Sequence, residues 1–224
     1  MKTALVTGIS KGIGLALAKK LQTEGFHVMG TIYTGAKPVG HGEWDVFDLD
    51  LSSSESVARC AGDIIASGAQ IDILINNAGA LLDEDDTSVI TDKLRRTLEI
   101  NVIGTIDLTE RLLPCVKAGG HIVNVSSTAA SLEQTGHPGS HFPGHYPSYK
   151  ISKAALNMYT RTLALRLKET GIVVSSAHPG WTRTDMGGPE ADITPEEAAE
   201  NIYEVAISRG ETGQFWFKDK KLPW

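Results

Sequence analysis

A chain of 224 residues with 41% hydrophobic and 21% charged residues has the composition of a soluble globular protein and the length of one well-buried domain, residues 1–224. Its formal charge of −6, with no basic tract, argues against nucleic acid as a partner, and no apolar run reaches membrane-spanning length. Cys60 and Cys115 match neither a disulfide framework nor metal spacing, and MKTALVTG meets a glycine too soon for a signal peptide, so a cytoplasmic location is expected.

In chain order, TALVT (3–7) reads as a short buried strand, followed by glycines and then Ile13, Leu17 and Leu21 at helical spacing. HVMGTI (27–32) and WDVFDL (44–49) read as the second and third strands, with a helix near 54–66. IDILIN (71–76) and HIVNVS (121–126) are continuous apolar runs, as strands covered on both faces require, and flank a helix near 88–116. A helix near 149–169 precedes GIVVSSA (171–177). Thr194, Pro195 and Glu197 then open a helix near 195–208 as a capping box, and QFWF (214–217) is the last predicted strand. The alternation predicts an α/β fold with a parallel sheet and helices on both faces.

TGISKGIG, Thr7 to Gly14, joins the first strand to the first helix. Glycines at 8, 12 and 14 let the backbone turn tightly and let a pyrophosphate approach a helix N-terminus, which points to a dinucleotide. The spacing G-x-x-x-G-x-G departs from the commoner G-x-G-x-x-G. No acid lies between Glu24 and Glu43, where a carboxylate would take the ribose hydroxyls of NAD. Lys11, in the loop, and the more distant Lys37 are candidates for a 2′-phosphate, so NADP is expected, with NAD as the other candidate.

YPSYKISKAAL (146–156) carries a tyrosine–lysine pair at i, i+4 in two registers, Tyr146 with Lys150 and Tyr149 with Lys153. A residue before proline is pushed out of helical geometry, so Pro147 disfavours a helix holding both Tyr146 and Lys150. Tyr149 can sit in the first turn, with Leu156, Tyr159, Leu163 and Leu167 as the apolar stripe. A free phenol has a pKa of ~10, and a nearby ammonium is the natural means of lowering it.

TGISKGIG, INNAG (75–79), Asn101 in NVIG, NVSS (124–127), YKISK (149–153) and HPGWTRTDM (178–186) together resemble, in order and over nearly the whole chain, the short-chain dehydrogenases/reductases. HPGWTRTDMGGP with LPW resembles the C-factor-like and sniffer-like carbonyl reductase branch. The resemblance implies a Rossmann-type doubly wound sheet, hydride exchange with a nicotinamide, and a small-molecule carbonyl or alcohol substrate. It implies Tyr149 as general acid/base, Lys153 as its partner and a ribose ligand, Ser127 rather than Ser126 on the substrate carbonyl, and Asn101 holding a relay water. It further implies cofactor contacts from Gly8, Ser10, Lys11, Gly12, Ile13 and Gly14. Asp50 would accept from the adenine amino group beside Leu51, with Asp48 the competing register. Asn77, Ala78 and Gly79 would line the adenosine, and Pro179, Gly180, Thr182 and Thr184 the nicotinamide. A homodimer or homotetramer is implied through the helices near 88–116 and 149–169.

The 21 residues between Ser127 and Tyr149 exceed the dozen usual in the family and are expected to shape substrate choice. His137, His141 and His145 fall four apart there, but proline and glycine break any helix that would align them on a metal, so none is expected. Asn101, Ser127, Tyr149 and Lys153 together favour a reductase over a nucleotide-binding signalling protein of C-factor type. A methyltransferase would leave the tyrosine–lysine pair unexplained.

Overall fold

The computed structural model describes residues 1–33, 35, 44–136, 144–208 and 210–224. Among them, strands β1 (Thr3–Val6), β2 (His27–Ile32), β3 (Asp45–Asp48), β4 (Ile71–Asn76), β5 (Val116–Val125), β6 (Val173–Ala177), β7 (Gln214–Phe217) and β8 (Lys220–Leu222) form an eight-stranded sheet ordered β3-β2-β1-β4-β5-β6-β7-β8. β1 to β7 run parallel, and β8 folds back antiparallel on β7. The strand order reverses between β1 and β4, so the crevice beyond their carboxyl ends is where a doubly wound sheet takes its ligand.

Among the described residues, six α-helices cover the sheet: α1 (Gly12–Thr23), α2 (Ser54–Ala66), α3 (Thr91–Leu98), α4 (Thr105–Leu112), α5 (Pro147–Arg166) and α6 (Pro195–Ile207). Successive strand residues feed opposite faces, as the period of two demands. Ala4 and Val6 join Leu17, Leu21 and Ile202 on the α1/α6 side, whereas Leu5 joins Ile64, Leu108 and Leu163 on the α2/α4/α5 side. Each such aliphatic side chain contributes roughly 1.5–3 kcal/mol by leaving water.

The structure differs from the sequence reading at several elements, among them β5, which begins at Val116 rather than at 121, and α5, which ends at Arg166. The helix expected over 88–116 is α3, a π-helical turn Glu99–Gly104, α4 and a short 3₁₀ turn Leu113–Cys115. Gly104 explains part of the break: a Cβ there would lie 2.0 Å from the Leu51 carbonyl oxygen, so helix and loop meet backbone to backbone. α5 begins at Pro147, two residues before the expected start. β8 was not anticipated, because three residues with two exposed lysines at a sheet edge carry almost no apolar pattern.

Candidate active site

The glycine turn leaves β1 with Gly8 and Gly12 at φ 75° and 56°, a region that disfavours any side chain. Gly14 lies in α1 against this turn, where a Cβ would sit 2.1 Å from the Gly8 carbonyl oxygen. The Asn77 amide group donates to the Thr7 carbonyl at 2.9 Å, and the Asn77 and Ala78 N–H groups both donate to the Thr7 hydroxyl at 3.0 Å. The ends of β1 and β4 are thus tied at the switch point, beside Gly79. Across the crevice Gly12 faces Thr184, 3.3 Å from where its Cβ would be. This bare, backbone-lined cradle at the N-terminus of α1 fits a dinucleotide pyrophosphate.

The other expected cofactor residues are placed as follows. Asp50 accepts from the Ser52 N–H at 2.9 Å and hydroxyl at 2.7 Å, and Leu51 beside it is buried. Asp48 ends β3 exposed. The Lys11 ammonium is exposed and paired with Asp185, which lowers the Asp185 carboxyl's pKa. Ser10 stands in the same turn, and Lys37 lies outside the described residues. Ile13, Pro179, Gly180, Thr182 and Thr184 all line one cavity. Its far wall is braced by Asn201, whose amide donates to the Pro179 carbonyl at 2.9 Å, and by the Arg183 N–H, which donates to the Ile193 carbonyl at 2.8 Å.

That cavity, about 760 Å³, also exposes Ser127, Tyr149 and Tyr146. Ser127 caps a 3₁₀ turn after β5, its hydroxyl accepting from the Ala129 N–H at 3.1 Å. Tyr149 projects from the first turn of α5 beside the Ser127 side chain, which lowers its pKa. Desolvation prevails, so the phenol is pushed up to about 12. Lys153, one turn on, is 5% exposed and donates to the Val125 carbonyl at 2.8 Å. Its ammonium stands 5.7 Å from the Tyr149 ring centre, and burial depresses it to about 8. The phenol depression expected from the lysine is not among the causes: only the Ser127 side chain lowers the Tyr149 pKa, and burial outweighs it.

The two registers are less separate than the sequence implied, since Lys150 Nζ also stands 6.0 Å from the Tyr146 ring centre. Tyr146 is held outside the helix at φ 52°, ψ 53°. Ser127 distinguishes the pairs, because its side chain lowers the Tyr149 pKa and is no cause of the Tyr146 shift. Ser126 is buried and its hydroxyl meets no partner among the described residues.

Asn101 occupies the π-helical turn. Its side-chain oxygen accepts from the Ala80 N–H at 2.7 Å, and its amide donates to the Ala80 carbonyl at 2.8 Å and to the Ser152 hydroxyl at 3.1 Å. The side chain is thus engaged as a brace between the loop after β4 and α5. A Cβ on Gly79 would crowd that Asn101 oxygen at 3.1 Å and reach ordinary contact with Lys153 Nζ at 3.6 Å.

Sequence reading missed a polar seam under the site. Asn76 donates to Thr109 at 2.9 Å and to Asn124 at 2.8 Å, Asn124 donates to Thr160 at 2.8 Å, and Ser176 donates to Thr160 at 2.9 Å. These residues sit in strands and helices at ordinary spacing, and only the topology brings them together. The missed cavity walls, Trp181, Met186, Phe217 and Leu222, come from the 181–193 loop and the β7–β8 hairpin. No group of three His, Cys, Asp or Glu able to hold a metal occurs among the described residues, and His137 and His141 lie outside them.

The model of the short-chain dehydrogenase family matches residues 2–195. The chain belongs to the short-chain dehydrogenases. Among its relatives in that family, carbonyl reductase [NADPH] 1 of Mus musculus is 29% identical over 274 residues, spanning 99% of this chain and 98% of the relative. A short-chain dehydrogenase/reductase from Burkholderia multivorans with bound NADP superposes with a TM-score of 0.88 at 28% identity, over 100% of this chain and 99% of the other. The carbonyl reductase Sniffer of D. melanogaster superposes at 0.86 with 27% identity over the whole of both chains. As a short-chain dehydrogenase the chain is an oxidoreductase, built on the doubly wound sheet. No described helix is long and apolar enough to cross a membrane.

Proposed function

We propose that this short-chain dehydrogenase is an NADP-dependent reductase of small or medium carbonyl compounds, with Tyr149 as its acid. The observation that carries the reading is that Ser127 and Tyr149 line one cavity with Ile13 of the glycine turn, the Lys153 ammonium standing 5.7 Å from the Tyr149 ring centre. The carbonyl reductases and NADP-bound neighbours among the similar proteins support the same reading.

A bound nicotinamide supplies the hydride. Ser127 and Tyr149 hydroxyls orient the substrate carbonyl by donating to its oxygen. As negative charge builds on that oxygen, the Tyr149 proton passes to it and the alcohol forms. The phenolate left behind is stabilised by the buried Lys153 ammonium, worth far more there than in water. A phenol near 12 is protonated at neutral pH, so the resting site is set for reduction. Leu81, Trp181, Met186, Phe217 and Leu222 give the cavity an apolar wall, which favours carbonyls with a hydrophobic substituent. Lys11 can exchange Asp185 for a 2′-phosphate, since both side chains are exposed.

We infer too that the chain self-associates along α5, where Ile151, Met158 and Leu165 recur every seventh residue and are 43%, 62% and 75% exposed.

NADPH consumption with a panel of aldehydes, ketones and dicarbonyls tests the reading. Turnover with at least one class is expected. NADPH bound tightly, as read by its fluorescence, with no turnover across the panel would contradict it.

A further inference from the structure

α5 carries Tyr149 and Lys153, yet it lacks its own cap. The residue at its N-cap position is Tyr146, in left-handed backbone geometry and with no side-chain cap hydrogen bond; Pro147 follows. A helix start leaves its first N–H groups unpaired, and a short oxygen-bearing side chain normally takes one of them. Here the oxygen comes from 65 residues upstream. Asp83, 1% exposed in the loop after β4, accepts from the Ser148 N–H through Oδ2 at 2.6 Å. Three residues on, the Asp86 carbonyl accepts from the Tyr146 N–H at 3.1 Å, and the Asp86 side chain is held by Lys93 at 2.7 Å.

We infer that Asp83 is a positioning residue for the reaction, capping the catalytic helix from outside so that the Tyr149 phenol meets the substrate carbonyl. The inference rests on the proposed role of Tyr149. Tyr149 is the residue directly after the N–H that Asp83 holds, so rotation or fraying of the first turn moves the phenol before it moves anything else on α5. The main chain at Tyr149 is tied to the same loop by a second route, since the Ser152 hydroxyl donates to the Tyr149 carbonyl at 2.7 Å and accepts from Asn101, itself bonded to Ala80. Loop and helix start thus form one unit joined at Asp83, Asp86 and Asn101. Asp83 also raises the pKa of Lys150, against the larger lowering by burial.

The contact needs an acceptor at the right distance. Asparagine keeps such an oxygen in place without the charge, glutamate keeps the charge but moves the oxygen, and alanine keeps neither. The experiment compares Asp83→Asn, Asp83→Glu and Asp83→Ala with wild type and Tyr149→Phe, with kcat counted per NADPH-binding site from fluorescence titration, so that a misfolded fraction does not register. Expected are kcat within about threefold of wild type for Asn and lower by about tenfold or more for Glu and Ala, with NADPH affinity unchanged in all three. Wild-type kcat in the Glu and Ala variants, with Tyr149→Phe inactive, would overturn the positioning role alone. An Asn variant as slow as Ala would also overturn it, by showing that charge rather than placement matters. Full activity in Tyr149→Phe would instead remove the reading on which the inference rests.

Discussion

At the residue scale the proposed mechanism turns on the protonation states of Tyr149 and Lys153. Burial raises the first to about 12 and lowers the second to about 8, so at pH 7 the pair is a neutral phenol beside an ammonium. Because the lysine lies below its ordinary value, the ammonium is the form below about 8 and the neutral amine the form above it. The kcat/KM for NADPH-dependent reduction should therefore hold level from pH 6 to 7.5 and fall about tenfold per unit well above 8, as loss of one essential proton requires. A pH–rate profile checks this, and a level profile to pH 9.5 would show that the lysine charge is not needed. The motif residues were legible because tyrosine, lysine and the glycines are fixed by short spacings within one element. Asp83 was not legible, since nothing local marks an aspartate that caps a helix 65 residues away.

At the element scale the β7–β8 hairpin matters more than its size suggests. Phe217 and Leu222 line the cavity, and Trp224 just beyond β8 stacks on the fully buried Phe215 at 5.7 Å, with the Arg161 guanidinium 5.5 Å over the ring. The Trp224 carbonyl accepts from the Glu133 N–H at 3.2 Å, so the hairpin holds the turn whose Gln134 and Thr135 reach the cavity. Losing a ring stack worth about 1 kcal/mol should raise the KM for carbonyl substrates about fivefold in Trp224→Ala, with NADPH affinity unchanged, by steady-state kinetics and fluorescence titration. The LPW ending was visible in sequence as part of a resemblance, but its physical task depends on β8, which has too little apolar pattern to be read. The break of the 88–116 helix was likewise hidden, because it depends on Leu51 and Ala80 approaching from elsewhere.

At the scale of the whole molecule, strand periodicity predicted the sheet well: β2, β4 and β7 stand where their apolar runs lie, and both faces are covered. The antiparallel closing strand and the register of loops over the crevice come from long-range packing, which no local pattern encodes. The exposed three-residue stripe on α5 is expected to make the protein at least dimeric by light scattering, with Met158→Glu shifting it toward monomer. A monomer mass for the wild type would remove that inference.

The reductase reading itself turns most directly on Tyr149→Phe, assayed for NADPH consumption against a carbonyl that the wild type reduces, with Tyr146→Phe alongside. Phenylalanine keeps the ring and removes only the proton to be donated, so kcat should collapse by at least about 100-fold while NADPH still binds, and Tyr146→Phe should keep most of its rate. Turnover that survives Tyr149→Phe, or that is lost instead in Tyr146→Phe, would place the acid elsewhere.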